Sequence, residues 1–157
     1  MKEARNVESF SLDHTKVTAP YVRMAGKKTG PKGDLVTKFD LRFSQPNVEY
    51  LPIGAMHSLE HLMAEYIRDE MDGVIDLSPM GCRTGFYLVV FGEIDEKTVA
   101  AKVRSVLLKV AAWPDSEPIP GQDPVMCGNA AGHDLASAKE WARRWVEGID
   151  RKGWRCF

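Results

Sequence analysis

The chain has 157 residues, 21 lysines and arginines against 22 aspartates and glutamates, and 44% hydrophobic residues. That length supports one domain with a real core, and the near balance of charge leaves no electrostatic footprint for nucleic acid. Met1-Lys2-Glu3-Ala4-Arg5-Asn6 leads into mixed polar sequence rather than an apolar targeting segment, and the longest strongly apolar run, Phe86 to Phe91, is far too short to span a bilayer, so a soluble, cytoplasmic protein is expected.

In chain order, Tyr21 to Met24 and Thr37 to Phe43 read as strands joined by the turn Gly30-Pro31-Lys32-Gly33-Asp34. In the second, Phe39, Leu41 and Phe43 alternate with Lys38, Asp40 and Arg42, which gives that strand one polar face. On pattern alone, Arg42 is a solvated strand residue. The Pro52–Gly54 turn opens an amphipathic helix over Ala55 to Glu70, with Leu59, Leu62, Met63, Tyr66 and Ile67 recurring at helical spacing. Val74 to Leu77 follows, then the turn Ser78-Pro79-Met80-Gly81-Cys82, then Gly85 to Gly92. Phe86-Tyr87-Leu88-Val89-Val90-Phe91 is apolar on both faces and predicts a central strand.

A second helix is expected over Glu96 to Trp113, with Asp95 as N-cap and Val99, Val103, Val106, Leu107 and Val110 facing inward. Pro114 stops it. Pro114 to Pro124 holds four prolines and reads as an ordered loop or a linker. A last helix covers Leu135 to Glu147, with Leu135, Ala138, Trp141, Ala142 and Trp145 inward and Gly148 as C-terminal cap. Strands and helices mix without a βαβ rhythm. The expectation is a single α+β domain over residues 1–157, with a largely antiparallel sheet packed against helices.

The chemistry concentrates in His57-Ser58-Leu59-Glu60-His61. On a helix, the two imidazoles sit one turn apart and Glu60 projects beside them, all within roughly 100° of arc. Two nitrogen ligands and a neighbouring carboxylate suit a divalent metal with a proton-transfer group at hand. The bland alternative is a solvated face with two histidines, yet the chain has only four histidines and two lie in this pentapeptide. A catalytic centre wants three protein ligands and one open position. Candidates for the third are Cys82, Cys127, Asp76, His14 and His133. Cys127 precedes Gly128 in a turn-like segment, which suits a ligand delivered by a loop. Cys82 lies at the mouth of the central strand beside Arg83, and a nearby cation favours thiolate. Spacing leaves open which thiol binds metal and which does chemistry, and either could be a small buried hydrophobe. With Cys156 the cysteines number three, an odd count that reads as reduced thiols rather than a disulfide frame.

From Val7 to about Trp145 the chain resembles the S-ribosylhomocysteine lyases, the LuxS family. The resemblance is carried by Val7-Glu8-Ser9-Phe10-Ser11-Leu12-Asp13-His14, Ala19-Pro20-Tyr21-Val22-Arg23 and Lys38-Phe39-Asp40-Leu41-Arg42-Phe43. It continues in His57-Ser58-Leu59-Glu60-His61-Leu62 and Ile75-Asp76-Leu77-Ser78-Pro79-Met80-Gly81-Cys82-Arg83-Thr84-Gly85. Cys127-Gly128-Asn129 and His133-Asp134-Leu135 complete it. The stretch before Val74 is short beside many relatives, and Cys156-Phe157 has no assigned role.

The resemblance implies cleavage of S-ribosylhomocysteine to homocysteine and 4,5-dihydroxy-2,3-pentanedione, the autoinducer-2 precursor. It implies a metal held by His57, His61 and Cys127, ferrous iron natively and often zinc in purified protein. It assigns acid/base work to Glu60 and Cys82, and substrate contacts to Ser9, His14, Arg42 and Asp76, with Arg42 also supporting catalysis. It implies a homodimer with two sites at the subunit interface, each built from both chains. The chemistry is coherent. Moving the ribose carbonyl from C1 to C2 to C3 makes the C4 proton acidic, and the thiolate then leaves from the β position. Each step needs an electrophile at the carbonyl oxygen and a base at carbon. Cys82 would move protons between carbons; Glu60 would shuttle them between oxygens and carbons and take the C4 proton. Two rival readings remain. One is an H-x-x-E-H metallopeptidase, with Glu140 or Glu147 as third ligand. The other is a non-enzymatic module with a closed four-ligand site.

Overall fold

The computed structural model describes residues 7–157, so the reading of Met1 to Asn6 lies outside the described residues. A short helix α1 (Glu8–Ser11) precedes β1 (Tyr21–Thr29) and β2 (Leu35–Arg42). Then come α2 (Ile53–Glu70), β3 (Val74–Pro79), β4 (Gly85–Phe91), α3 (Glu96–Ala111) and α4 (Leu135–Lys152). The strands form one sheet in the order β1-β2-β4-β3, with every pairing antiparallel. The protein is a single α+β domain. Among the described residues no helix is long and apolar enough to cross a membrane.

The alternation in β2 sorts the two faces of the sheet. Phe39 pairs with Leu88, and Leu41 with Phe86, and all four are fully buried against the helices. Val22, Leu77 and Val90 complete this inner face, on which α2, α3 and α4 pack. The inward stripes of α2 (Leu59, Leu62, Met63, Ile67) and α3 (Val99, Val103, Val106, Leu107, Val110) meet Ala138, Trp141 and Trp145 of α4 there. Trp145 also donates its indole N–H to the Arg42 carbonyl at 3.0 Å, which ties α4 to the end of β2. Phe86-to-Phe91 is central as expected, between β2 and β3.

The polar face of β2 is not solvated. Asp40 is 0% exposed and Arg42 2%. Tyr21 and Arg23 from β1 close over them, and Glu8 of α1 pairs with Arg23 at 2.6 Å. The alternation located this face correctly, but packing by the first strand and the N-terminal turn converts it from a wet surface into a buried ionic cluster.

Other differences are at element ends. β1 continues through Gly26-Lys27-Lys28-Thr29, which carries no apolar signal and is held as an edge by pairing with β2 out to Thr29 and Leu35. Asp95 caps α3 as expected, accepting from the Thr98 N–H at 2.9 Å. That helix stops at Ala111, ahead of Pro114, because Trp113 directly before the proline is disfavoured in helical geometry. Gly148 does not cap α4: the helix runs on to Lys152 and ends at Gly153 with φ 83°. A Cβ at Gly148 would lie 2.5 Å from Pro20 Cγ, so the glycine serves a close helix-to-loop approach.

Candidate metal centre and the Cys82 pocket

Helix α2 delivers His57 and His61 to one face, and the irregular stretch between α3 and α4 closes over them. His57 Nδ1 donates to the Gly132 carbonyl at 3.0 Å, and His61 Nδ1 to the Pro120 carbonyl at 2.8 Å. A carbonyl can only accept, so each Nδ1 carries the proton and each Nε2 presents a lone pair. The Pro120 contact depends on Gly121. Its φ of +69° is left-handed, and a Cβ there would press to 3.3 Å on His61 Nδ1.

Cys127 arrives from a loop folded by Asp123. The Asp123 carboxylate accepts from the Val125 and Met126 N–H groups, and its carbonyl accepts from Cys127 N. The Cys127 sulfur is buried, 3.3 Å from His57 Nε2, and receives the Asn129 N–H at 3.4 Å. His133 joins them, stacked on His57 with ring centroids 3.8 Å apart and its Nε2 3.9 Å from the Cys127 sulfur. Ser58 gives its hydroxyl proton to the Gly54 carbonyl, so His133 Nδ1 is the donor in its 3.3 Å contact with Ser58. Burial first, then the closeness of two further imidazoles, His57 and His61, that would repel a second positive ring, pushes His133 down to about 4, which keeps it neutral at ordinary pH.

The ligand atoms of His57, His61, Cys127 and His133 all lie within 4.8 Å of one another. Nitrogen at ~2.05 Å and sulfur at ~2.3 Å from one tetrahedral ion stand ~3.6 Å apart. The 3.3 Å between Cys127 and His57 fits that spacing. Two imidazoles oriented by carbonyls, with a thiol receiving an N–H, therefore fit a divalent metal. No carboxylate belongs to the group, and Glu140 pairs instead with Arg143 on the solvent side of α4. Glu60 lies on α2 between the two histidines, half-buried, and no hydrogen bond or ion pair among the described residues engages its carboxylate.

The second thiol lies elsewhere. Cys82 is exposed at the rim of a pocket of ≈ 390 Å³ lined by Ser9, His14, Arg42, Met80 and Tyr87 among others. Four of the residues singled out in the sequence, Ser9, His14, Arg42 and Cys82, are thus brought together. Asp76 does not line this pocket; it is exposed on β3 at an irregularity in its pairing with β4. The pocket shares no residue with the metal group.

Arg42 is fixed on three sides. Its Nε and Nη2 donate to Asp40 at 3.1 and 2.7 Å, and Nη1 donates to Thr84 Oγ1 at 2.6 Å. Burial pulls this guanidinium down, but Asp40's hydrogen bonds and charge outweigh it and hold the group above its usual range. The same burial, with the Asp40 charge, raises the Tyr21 phenol. Sequence reasoning singled out neither Thr84 nor Asp40 as a partner of Arg42. An acidic and a basic residue at i and i+2 on one strand face was the available signal.

Residues 7–154 match the S-ribosylhomocysteinase (LuxS) family. The chain is 56% identical over 143 residues to an S-ribosylhomocysteine lyase of Deinococcus radiodurans, covering 91% of this chain and 89% of that protein. It is 56% identical over 137 residues to the S-ribosylhomocysteine lyase of Clostridioides difficile, covering 87% and 89%. To the enzyme of that name from Clostridium perfringens it is 54% identical over 147 residues, covering 93% and 95%. Matched over nearly its whole length, the chain belongs to the S-ribosylhomocysteinase (LuxS) family.

Proposed function

We propose that this chain is a metal-dependent lyase that cleaves S-ribosylhomocysteine to homocysteine and 4,5-dihydroxy-2,3-pentanedione, the precursor of autoinducer-2. The observation that carries the reading is the convergence of His57, His61 and Cys127, in a chain so similar to lyases of that name. A divalent ion held by these three, ferrous iron natively and zinc in its place on purification, supplies Lewis-acid polarisation of the substrate carbonyl. His133 braces the His57 ring by stacking.

Glu60 takes and returns protons at the sugar oxygens and removes the C4 proton before the thiolate leaves. Its carboxylate is free of competing partners among the described residues, which suits that work. Cys82 carries protons between carbons, while Arg42, Ser9 and His14 hold substrate in its pocket, with Asp76 contacting the substrate hydroxyls. The metal group and the Cys82 pocket share no residue, which supports a homodimer in which one subunit's metal faces the Cys82 pocket of the other. Three free thiols suit the reducing cytoplasm.

The deciding experiment is an anaerobic incubation of iron-loaded protein with S-ribosylhomocysteine, following free homocysteine thiol. Thiol release at the rate of an enzyme supports the reading; intact substrate with stoichiometric metal overturns it. The peptidase alternative is disfavoured by a thiol-containing ligand group with no carboxylate.

A further inference from the structure

We propose that Thr84 is a positioning residue that relays the Arg42 charge to Cys82, accepting a hydrogen bond from the guanidinium and donating its own hydroxyl proton to the Cys82 sulfur. The inference rests on the reading of Cys82 as a proton carrier. Cys82 Sγ lies 3.1 Å from Thr84 Oγ1, and Arg42 Nη1 lies 2.6 Å from that same oxygen. Arginine has donors only, so the Thr84 oxygen must accept on that side. Its single proton is left for the sulfur, and a sulfur that receives it is set up as an acceptor, the state that a thiolate prefers.

The rest of the geometry is built to hold this direction. Asp40 engages Nε and Nη2 of Arg42, so Nη1 is the donor left to face Thr84. Thr84 is 2% exposed, and its backbone carbonyl accepts from Phe43 and Ser44, which anchors it to the end of β2. Between the two side chains, Arg83 adopts φ 59°, a left-handed conformation uncommon for a residue with a Cβ. Bonds from Arg83 N to the Met80 carbonyl and from Met80 N to the Gly85 carbonyl close that turn. Strain of this kind persists where surrounding structure enforces it, commonly at functional sites.

Arg83, the adjacent cation in sequence, places its guanidinium over the Tyr50 ring instead. The titratable groups around Cys82 are Arg42 from β2, Tyr87 from β4, His14 from the N-terminal segment, and Arg83 beside it. Of these, only Arg42 is linked to the sulfur through a hydroxyl.

The test is the pH dependence of Cys82 alkylation by iodoacetamide in the metal-loaded protein without substrate, with the modified cysteine assigned by mass spectrometry. Thr84→Val keeps the shape and removes the hydroxyl. The expected result is a Cys82 alkylation midpoint moved alkaline by about one pH unit, the scale of a lost hydrogen bond to a charged group. Thr84→Ser should restore the wild-type profile, and Thr84→Ala serves where the valine variant does not fold. An unmoved midpoint in the valine or alanine variant overturns the relay, as does a serine variant that behaves like them. Because alkylation needs no substrate, the two readings separate. A moved midpoint in a protein that releases no homocysteine overturns the lyase and keeps the relay, whereas an unmoved midpoint in an active lyase does the reverse.

Discussion

Asp40→Ala tests the ionic cluster beneath the Cys82 pocket. Asp40 is 0% exposed and receives four hydrogen bonds, from Tyr21, Arg23 and two nitrogens of Arg42. After its removal Arg23 keeps Glu8, but of the side-chain hydrogen bonds of Arg42 only that to the neutral Thr84 hydroxyl remains. A guanidinium 2% exposed would then be buried without a counter-charge. Breaking one side of such a pair costs about 3–5 kcal/mol, and the orphaned Tyr21 hydroxyl pushes the loss toward the upper end. For a domain of this size that corresponds to a melting point lower by on the order of 10 °C. Urea unfolding of the metal-loaded protein, at one fixed free-metal concentration, reads it as a fallen midpoint with unchanged slope. The control is Asp40→Leu with Arg42→Met, in which both charges go; that pair should recover most of the loss. A single variant within about 1 kcal/mol of wild type, or a double variant worse than the single, would show that Asp40 does not hold Arg42 in place.

Glu60→Gln should keep full metal content by elemental analysis while turnover falls about 10²–10⁴-fold; loss of metal would make Glu60 a ligand instead. Cys127→Ala should lose the metal and Cys82→Ala should keep it, and the opposite pattern exchanges the two thiols. Mixing inactive Cys127→Ala and Cys82→Ala subunits should regain about a quarter of wild-type activity, because half the dimers are mixed and each then holds one intact composite site. Continued inactivity after verified subunit exchange would place each site within one chain.

The parts of this structure legible from sequence are those set by local periodicity. The His57–His61 helix, the central Phe86–Phe91 strand and the Asp95 cap follow from spacing and capping chemistry alone. The alternation of Phe39 and Leu41 with Asp40 and Arg42 located the two faces of β2. It could not say that the second face is buried, since Tyr21 and Arg23 come from another strand. Gly148 looked like a helix stop because its contact with Pro20 is tertiary. His133 was one candidate among five for a third ligand, and only folding of the stretch before α4 sets it against His57. Thr84 carried no signal, since its role needs a guanidinium 42 positions away in the chain.

The carbonyls of Pro120 and Gly132 grip the two α2 imidazoles from either side of Cys127. The stretch from 112 to 134, without a strand or helix of its own, thus has three of its contacts with the fold gathered around the group that could take one metal ion. Loading such a centre acts as a clasp on that segment: a chelator would unbutton it while leaving the sheet and its three-helix cover largely standing. Metal supply in the cell would then govern how long this one loop survives proteases as well as how fast the site works.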